Sequence, residues 1–413
     1  MPTIRSITQR TRTWNPSQQA RQEIRYVDVS AVSREKLQIG AAEVIHAATA
    51  PSRARKLIEA DDTIIATIRP GLKRIAKVPP VLHGEVASTA FCVLRPDRTI
   101  VDPDYLFYAV ASDDFIAALA LHETGASYPA IRDQDVLDSE IPLPSLDVQR
   151  RITILLNAVR ASLLQQFDLI TAAERLKAAC TEVVFSRGLH GETKEETDIG
   201  SVPLSWEVVP LGSLGRVGNG STPKRTVSAY WDGGHYPWLT SAKVYDRDVI
   251  RGDEFVTDTA LRECHLPKVQ PGALLMAITG QGKTLGHCAV LRTEATVSQH
   301  VAYVQTDTTR ANPAFLRGYL ETQYDYLRQV GAGGGSTKGA LTCAFLRSLP
   351  VPLPPLAEQN EIAEILDAID AKIALHQKKR AVLEELFKAL LHKLMTGEID
   401  VNDLDLSALQ PTA

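Results

Sequence analysis

The stretch IPLPSLDVQRRITILL at residues 141–156 returns as VPLPPLAEQNEIAEIL at residues 351–366. At an offset of 210 residues, seven of the sixteen positions are identical, where chance would give about one. The identical pairs are Pro142/Pro352, Leu143/Leu353, Pro144/Pro354, Leu146/Leu356, Gln149/Gln359, Ile152/Ile362 and Leu156/Leu366. Because this period is far longer than a solenoid repeat, it predicts a tandem duplication of a whole structural unit.

The same offset extends backwards, without a gap, through the residues that precede each stretch. The matched pairs include Ile64/Leu274, Ile65/Leu275, Ser88/Ser298, Pro103/Pro313, Leu106/Leu316 and Gly125/Gly335. Each copy is therefore predicted to begin with a compact domain, at residues 1–140 and 200–350. The segments that follow these domains, 141–199 and 351–413, are predicted to hold a long helix each.

Short apolar runs separated by Gly, Pro and Asn or Asp dominate the two domains and indicate strands with turns. These runs are TIIATI (63–68), TAFCVL (89–94), ALLMAI (273–278) and HVAYVQ (300–305). Helical stretches at 103–120 and 313–330 lie between them and the repeated motif. The fold class expected for each domain is therefore α+β.

The segments after the two domains carry apolar residues at intervals of three and four, which is the heptad spacing of a coiled coil. The predicted seam consists of Ile152, Leu156, Val159 and Leu163 in the first copy, and Ile362, Leu366, Ile369, Ile373, Leu383 and Phe387 in the second. Each helix should run for about 40 residues, or about 60 Å, and end near Gly188 or Gly397.

The simplest partner for each long helix is the helix of the other copy. An antiparallel pair would separate the two domains and relate them by a pseudo-twofold axis. Gln166, Lys177, His376 and Arg380 fall on the seam, where polar residues set the register of a helix pair. The alternative is that each helix packs on a partner protein instead.

Composition excludes several classes of protein. No run of about 18 apolar residues is present, so no membrane span is expected, and a chain without an export signal is expected in the cytoplasm. Five scattered cysteines without a C-x-x-C pair indicate reduced thiols and not a metal site. The net charge of −4 divides unevenly, with +7 over residues 1–80 and −8 over residues 81–140. A local basic face suits phosphate binding, although an uneven solvated surface explains the same numbers.

Two α+β domains, each followed by a proline-marked long helix, resemble the specificity subunit of type I restriction–modification systems. The most specific matches are Pro352–Ile373, Met395–Val401 and, more weakly, Pro142–Leu156. YVDVSAVS (26–33), TGASYPAI (124–131), YPWLTSAKV (236–244) and GGGSTKGAL (333–341) also resemble family elements. The first copy departs from the pattern, since TGASYPAI has Tyr-Pro where the second copy has Lys-Gly, with Lys338.

The resemblance implies a sequence-specific DNA-binding subunit that is not an enzyme by itself. Each domain would be a target-recognition domain that reads one half of a bipartite, asymmetric site in double-stranded DNA. The helix pair would set the spacer between the half-sites and dock two methyltransferase subunits, which a motor-endonuclease subunit joins. S-adenosylmethionine, ATP and Mg would bind those partners, and no cofactor is expected on this chain.

Candidate DNA-binding residues are those whose side chains can reach phosphates or base edges. In the first domain they are Arg53, Arg55, Lys56, Arg69, Lys73, Arg74 and Lys77. In the second domain they are Ser221, Thr222, Lys224 and Arg225, within a loop rich in Gly and Asn, together with Ser241, Lys243 and Lys283.

Two other functions remain open from the residues. One is a coiled-coil scaffold whose domains bind protein. The other is a nucleotide-binding enzyme, because AITGQGKT at residues 277–284 approaches a phosphate loop. A phosphate loop opens a helix, whereas LGHCAVL at 285–291 has the pattern of a strand, which favours a glycine hairpin. No G-x-S-x-G or H-E-x-x-H signature occurs, so no catalytic residue is proposed and His300 is expected to be structural or to contact DNA.

Overall fold

A computed structural model describes residues 1–15, 22–125, 129–280, 283–333 and 340–409. Contacts divide the chain into two compact units. Unit 1 comprises Met1–Leu169 with His376–Ala413, and unit 2 comprises Ile170–Leu375. Each unit joins an α+β domain to one half of each long helix. The domain limits expected at residues 140, 199 and 350 stay predictions.

Unit 1 contains two small sheets and a hairpin within the described residues. Its strands are β1 (Thr8–Gln9), β2 (Glu23–Val27), β3 (Val32–Ser33), β4 (Gln38–Ile39), β5 (Glu43–His46), β6 (Ala54–Ile58), β7 (Thr63–Ala66), β8 (Ile75–Lys77), β9 (Glu85–Ser88) and β10 (Phe91–Pro96). One sheet has the order β1-β10-β7-β8 and the other β5-β2-β9-β6, in which β2 and β9 run parallel. Strands β3 and β4 pair with each other.

The helices of unit 1 cover the first sheet and lead into the long helix. They are α1 (Pro103–Ala111), α2 (Asp113–Ala120), α3 (Asp133–Leu137) and α4 (Leu146–Arg187), whose second half belongs to unit 2. The helical stretch expected at 103–120 forms two helices, because the chain breaks at Ser112. Ser112 has an extended backbone, and its side chain accepts a hydrogen bond from the N–H of Phe115, so it caps α2.

Unit 2 repeats this plan with further strands. They are β11 (Lys194–Thr197), β12 (Gly200–Pro203), β13 (Glu207–Pro210), β14 (Gly215–Asn219), β15 (Tyr236–Leu239), β16 (Asp248–Val249), β17 (Glu254–Val256), β18 (Leu274–Ala277), β19 (Cys288–Leu291), β20 (Thr296–Val297), β21 (Val301–Thr306) and β22 (Pro350–Leu353). Its helices are α5 (Asp258–Glu263), α6 (Pro313–Thr322), α7 (Tyr324–Ala332), α8 (Cys343–Ser348) and α9 (Leu356–Thr396). The main sheets have the orders β14-β21-β18-β19-β16 and β17-β15-β20.

The strand registers correct the ungapped offset at β18. Ile64 pairs with Val93 in unit 1, and Leu275 pairs with Tyr303 in unit 2. Since Tyr303 lies 210 residues after Val93, the structural counterpart of Ile64 is Leu275 and not Leu274. The second copy therefore has one residue fewer between Leu275 and Tyr303 than the first has between Ile64 and Val93, which the match of apolar neighbours concealed.

The repeated glutamines explain why the starts of the two long helices are so alike. Gln149 accepts a hydrogen bond from the N–H of Asp102 (2.8 Å) and donates to the carbonyls of Ile100 (3.2 Å) and Pro144 (2.8 Å). Gln359 makes the same three bonds, with the N–H of Asn312 (2.8 Å) and the carbonyls of Arg310 (3.1 Å) and Pro354 (2.8 Å). Both side chains are fully buried, so each satisfies three buried backbone groups that would otherwise be unpaired.

The long helices have the predicted lengths, 42 residues for α4 and 41 for α9. Both end as expected at a glycine with positive φ, 61° at Gly188 and 76° at Gly397. No helix among the described residues is both long and apolar enough to cross a lipid bilayer.

The two long helices pack against each other in opposite directions, which confirms the predicted antiparallel pair. In unit 1, the imidazole of His376 lies 2.8 Å from the side-chain oxygen of Gln166. In unit 2, Lys177 forms an ion pair of 3.0 Å with Asp370. Residue numbers rise along α4 as they fall along α9, so the alternative in which each helix packs only on another protein is not favoured.

The predicted seam is buried to different degrees along its length. Ile152, Leu156, Leu163, Ile362 and Leu366 are buried, whereas the other members are half-buried, namely Val159, Ile369, Ile373, Leu383 and Phe387. The first turns of each helix also pack into the adjoining domain. Ile152 shares a core with Tyr105 of α1, and Ile362 shares one with Phe315 of α6.

Candidate nucleic-acid interface

The basic candidates of the first domain are mostly held by partners inside the domain. Lys56 pairs with Asp133, Lys73 with Asp113, and Lys77 with Asp104. All three acids lie in the stretch 81–140, which is net negative. The basic and acidic segments of the sequence thus neutralise each other in part, and the uneven charge does not by itself indicate a basic face.

The other candidates of this domain also have internal contacts. Arg53 forms an ion pair of 2.7 Å with Asp28 but is 57% exposed. Arg74 donates to the carbonyls of Val29 and Val32, and Arg55 donates to the carbonyl of Ala54. Arg69 is exposed, and its backbone lies in the left-handed region. The role of each in DNA binding stays a prediction, and Arg53 and Arg69 are the most accessible of them.

In the second domain, one loop carries four of the candidates between β14 and β15. Trp238 of β15 donates its indole N–H to the carbonyl of Ser221 (3.1 Å). Trp231 donates in the same way to the carbonyl of Lys224 (3.2 Å). The Ser221 hydroxyl donates to the carbonyl of Cys264 (3.1 Å), in the turn after α5. Two indoles and a hydroxyl therefore fix the backbone of this loop at Ser221 and Lys224.

Arg225 is held against the same two tryptophans. Its guanidinium carbon lies 3.9 Å from the centre of the Trp231 ring and 5.0 Å from that of Trp238. The two rings are perpendicular, with centres 5.3 Å apart, and Glu254 forms an ion pair with Arg225. Stacking and charge together hold this side chain in place, as expected for a cation above aromatic faces.

Thr222 and Lys224, in contrast, have exposed side chains. Within the described ranges, no hydrogen bond or ion pair engages the ammonium group of Lys224. Lys283 is also exposed, and its carbonyl accepts a hydrogen bond from the hydroxyl of Tyr324.

The remaining two candidates lie on the 3-10 helix Ser241–Asp246. Lys243 forms ion pairs with Asp246 (2.8 Å) and Asp253 (2.9 Å), and its side chain is only 12% exposed. Hydrogen bonds to these two carboxylates raise the pKa of Lys243. Ser241 is half-buried. Lys243 is therefore committed to the fold, and its predicted DNA contact would require two ion pairs to break.

The segment at 277–284 leads from β18 towards β19, as the predicted hairpin requires and a phosphate loop does not. The described chain on its far side enters β19, which pairs antiparallel with β18. A phosphate loop needs a helix N-terminus at that point. Gln281 and Gly282 lie outside the described residues, as do Tyr128 of TGASYPAI and Lys338 of GGGSTKGAL.

His300 contacts a residue of its own domain, and the cysteines form no disulfide among the described residues. The Nδ1 atom of His300 lies 2.6 Å from the hydroxyl of Thr279, across the β18–β21 pair. All five cysteines are free, and burial raises the pKa of Cys92 to about 12. Over the residues that the structure describes, no group of three or more His, Cys, Asp or Glu side chains could hold a metal ion.

The tryptophan pair is the feature of this site that the sequence analysis missed. Two of the four tryptophans, Trp231 and Trp238, lie within eight residues of each other, and they follow Arg225 by six and thirteen residues. Aromatic residues next to adjacent cations are a signal of cation–π contacts. That spacing could have indicated the contact of Arg225 with the two tryptophans without the structure.

Several known proteins are similar in sequence to this chain. A family model described as type I restriction modification DNA specificity domain matches residues 203–385. The type I restriction enzyme MjaIX specificity subunit of Methanocaldococcus jannaschii is 30% identical over 202 residues, which are 47% of this chain and 45% of that protein. The putative type I restriction enzyme MjaX specificity subunit of the same organism is 24% identical over 337 residues, which are 78% of this chain and 73% of that protein.

The fold is also found among solved structures. A chain from a structure described as the structural basis of complex assembly and conformational transition of the type I R-M system is 27% identical, with a TM-score of 0.54. The match covers 96% of this chain and 97% of that chain. This match spans both copies of the repeat, whereas the match to the MjaIX subunit spans less than half of that relative.

Proposed function

We propose that the chain is a member of the specificity-subunit family of type I restriction–modification systems and that it serves as the non-catalytic DNA-reading subunit of such a complex. One observation carries the proposal. The two domains share a frame, anchored on each long helix by Gln149 or Gln359, but they differ in their exposed loops. Two similar domains with different loops suit two different half-sites of double-stranded DNA.

The helix pair is proposed to fix the spacing of the two half-sites. Positions along a DNA groove repeat with the helical turn, so two reading domains need a constant separation. Two helices of about 40 residues that pair with each other supply a stiff element of that kind. The buried contact between Gln166 and His376 supports a single register, because it pairs two polar seam residues.

The partners are proposed to be two methyltransferase subunits, joined by motor-endonuclease subunits. The duplicated PLPSL and PLPPL segments would offer similar surfaces twice, which fits two copies of one partner. In unit 1 this segment borders an open groove of about 1030 Å³, lined among others by Pro142, Leu143, Met395 and Ile399. S-adenosylmethionine, ATP and Mg would bind to those partners.

The test is to express the chain together with a type I methyltransferase subunit and to map methylated adenines by long-read sequencing. We expect methylation within one bipartite, asymmetric sequence, with a fixed spacer, that is lost when this chain is omitted. Methylation that does not depend on the chain, or that follows an unsplit symmetric site, would contradict the proposal. Purified complex should also bind the mapped sequence in preference to a scrambled duplex, with an affinity that falls as salt rises.

A further inference from the structure

We propose that the loop between β14 and β15, residues 220–235, is a DNA-contacting element of the second domain. In this assignment Lys224 donates to an acceptor on DNA, and Arg225 is a positioning residue that does not touch DNA. The inference rests on the proposed function. It adds a specific loop, a residue that contacts DNA and a residue that positions it. It also gives different roles to two adjacent cations, Lys224 and Arg225, that the sequence alone could not distinguish.

The loop is held in one conformation before any DNA arrives. Beyond the two indole bonds, the Thr257 hydroxyl donates to the carbonyl of Ala229 (2.6 Å), and the Tyr230 hydroxyl donates to Glu263 (2.9 Å). At Gly220, a Cβ atom would lie 1.6 Å from the carbonyl oxygen of Val297. The backbone at Gly220 thus lies too close to β20 for any side chain, so the loop starts from a fixed point.

Arg225 is unsuited to contact DNA in this arrangement, although it remains 54% exposed. Its planar group lies against Trp231 and is paired with Glu254. To contact DNA, Arg225 would have to give up its contacts with both Trp231 and Glu254. The consequence of the stacking is different, because Arg225 follows Lys224 directly and Trp231 holds the carbonyl of Lys224. The tryptophan and Arg225 therefore fix the backbone from which the Lys224 side chain projects.

Lys224 is the cation that this support leaves available. It is exposed, whereas Lys243 of the same domain is paired with two carboxylates and mostly buried. Fixing the backbone lowers the entropy that a flexible lysine loses on binding. Thr222, two residues earlier, is also exposed and can share the contact. An ammonium group donates either to a guanine edge or to a phosphate, and binding data distinguish the two.

The experiment uses the complete complex and the sequence mapped for it. Binding is measured at two salt concentrations on the cognate duplex and on duplexes altered in either half-site. We expect Lys224→Ala to weaken binding about tenfold. If the contact is to a base, discrimination at one position of one half-site is lost; if it is to a phosphate, binding weakens for all duplexes and the salt slope falls by about 1. Arg225→Ala should produce a weaker loss of the same kind as Lys224→Ala, and Arg225→Lys should restore binding only in part.

Lys268→Ala is the matched control, since Lys268 is an exposed lysine of the same domain that lies over Tyr236. Equal losses for Lys224→Ala and Lys268→Ala would assign the effect to net charge and overturn the inference. Unchanged binding by Lys224→Ala, or a loss of discrimination in both half-sites, would also overturn it. If the unaltered complex shows no sequence preference, the proposed function itself fails, which is a different result. Thermal unfolding of each variant shows whether Arg225→Ala acts through global stability.

Discussion

The junctions between domain and long helix use opposite chemistry in the two units. In unit 2, Arg317 of α6 is 1% exposed and pairs with Asp367 of α9 and with Asp248 (3.2 Å). In unit 1, the residue at the corresponding position is Phe107, which is 2% exposed. The Phe107 ring is tilted by 58° relative to that of Tyr108, with centres 5.1 Å apart. One junction is an ionic cluster and the other is aromatic.

The difference extends to the whole cluster. In unit 2, Lys177 bridges Glu321 (2.9 Å) and Asp370 (3.0 Å), and Arg247 also pairs with Asp370. At the 210-residue offset, the counterparts in unit 1 are Leu37 for Arg247, Phe107 for Arg317, Ala111 for Glu321, Asn157 for Asp367, Arg160 for Asp370 and Phe387 for Lys177. Five of these six positions lose their charge and the sixth reverses it.

The backbone frame is nevertheless shared. Leu37 and Arg247 occupy the same repeat position, and both have positive φ, 48° and 59°. Arg160 in unit 1 donates to the carbonyls of Lys36 (3.2 Å) and Leu37 (3.0 Å), and burial lowers the pKa of Arg160 as it lowers that of Arg247. Because a single change would leave a buried charge without a partner, such clusters are expected to diverge as a set.

The largest expected effect comes from removing the buried cation. Arg317→Met leaves Asp367 and Asp248 without their central partner and should destabilise unit 2 by about 3 kcal/mol, the lower end for a broken buried pair because Asp367 is 40% exposed. Hydrogen exchange in peptides of α6 measures the loss locally. Arg292→Ala removes the more exposed ion pair of Asp248, with Arg292, and should destabilise the protein by less than about 1 kcal/mol. A comparable loss from both variants would argue against a special role for the buried position.

The ionic and aromatic junctions should also differ in how their residues couple. The double variant Arg317→Met with Asp367→Asn should be more stable than the sum of the two single effects predicts, by about 1–3 kcal/mol. The second substitution removes the carboxylate that the first leaves unpaired. In unit 1, Phe107→Leu with Asn157→Ala has no charge to compensate and should be additive to within about 0.5 kcal/mol. Urea unfolding of the four single and two double variants measures the coupling energy in each unit, and equal coupling in the two units would refute the contrast.

Gln149 and Gln359 test the hydrogen-bonded anchor that the two junctions share. Gln149→Ala and Gln359→Ala should each cost about 1–3 kcal/mol, since each leaves buried backbone groups without a partner. The two costs should agree, because the three bonds are the same in both units. Local hydrogen exchange at the amides of Asp102 and Asn312 provides the measurement. A large cost at only one glutamine would show that the anchor is not equivalent in the two copies.

The parts of the fold that could be predicted are those with local signals. The heptad spacing predicted both long helices, and Gly188 and Gly397 marked their ends. The helix break at Ser112 had a local signal too, because Ser112 precedes two aspartates in the manner of an N-cap. These features depend on backbone preferences within a few residues, which a sequence displays directly.

The site could be predicted only in outline. The sequence identified the loop with Lys224 and Arg225 as basic, but it could not separate the two cations, since Glu254 and Trp238 reach Arg225 only through the fold. It likewise gave no sign that Lys73 would pair with Asp113, 40 residues away. Long side chains choose partners by tertiary proximity, and a single sequence does not contain that information. Hydrophobic similarity also concealed the one-residue shift at β18.

The smallest expected effect separates the two glycines that end the long helices. Both have positive φ, a conformation that costs an alanine about 1 kcal/mol. A Cβ atom at Gly397 would have no neighbour within 4 Å among the described residues, so Gly397→Ala should cost about that amount and no more. At Gly188, a Cβ would lie 2.8 Å from the carboxylate of Glu358.

Glu358 is itself buried and engaged, because it accepts hydrogen bonds from the N–H of Leu189 (3.0 Å) and the indole of Trp206 (3.1 Å). Gly188→Ala must displace that carboxylate as well as adopt the left-handed backbone, so it should cost about 1 kcal/mol more than Gly397→Ala. Urea midpoints of the two variants give the comparison. Adding Glu358→Gln to Gly188→Ala should reduce the difference little, since the amide keeps the same size; Glu358→Ala should remove it, because the space then opens. If both glycine variants lose equal stability, the close approach at Gly188 has no energetic weight, and the two helix ends are equivalent.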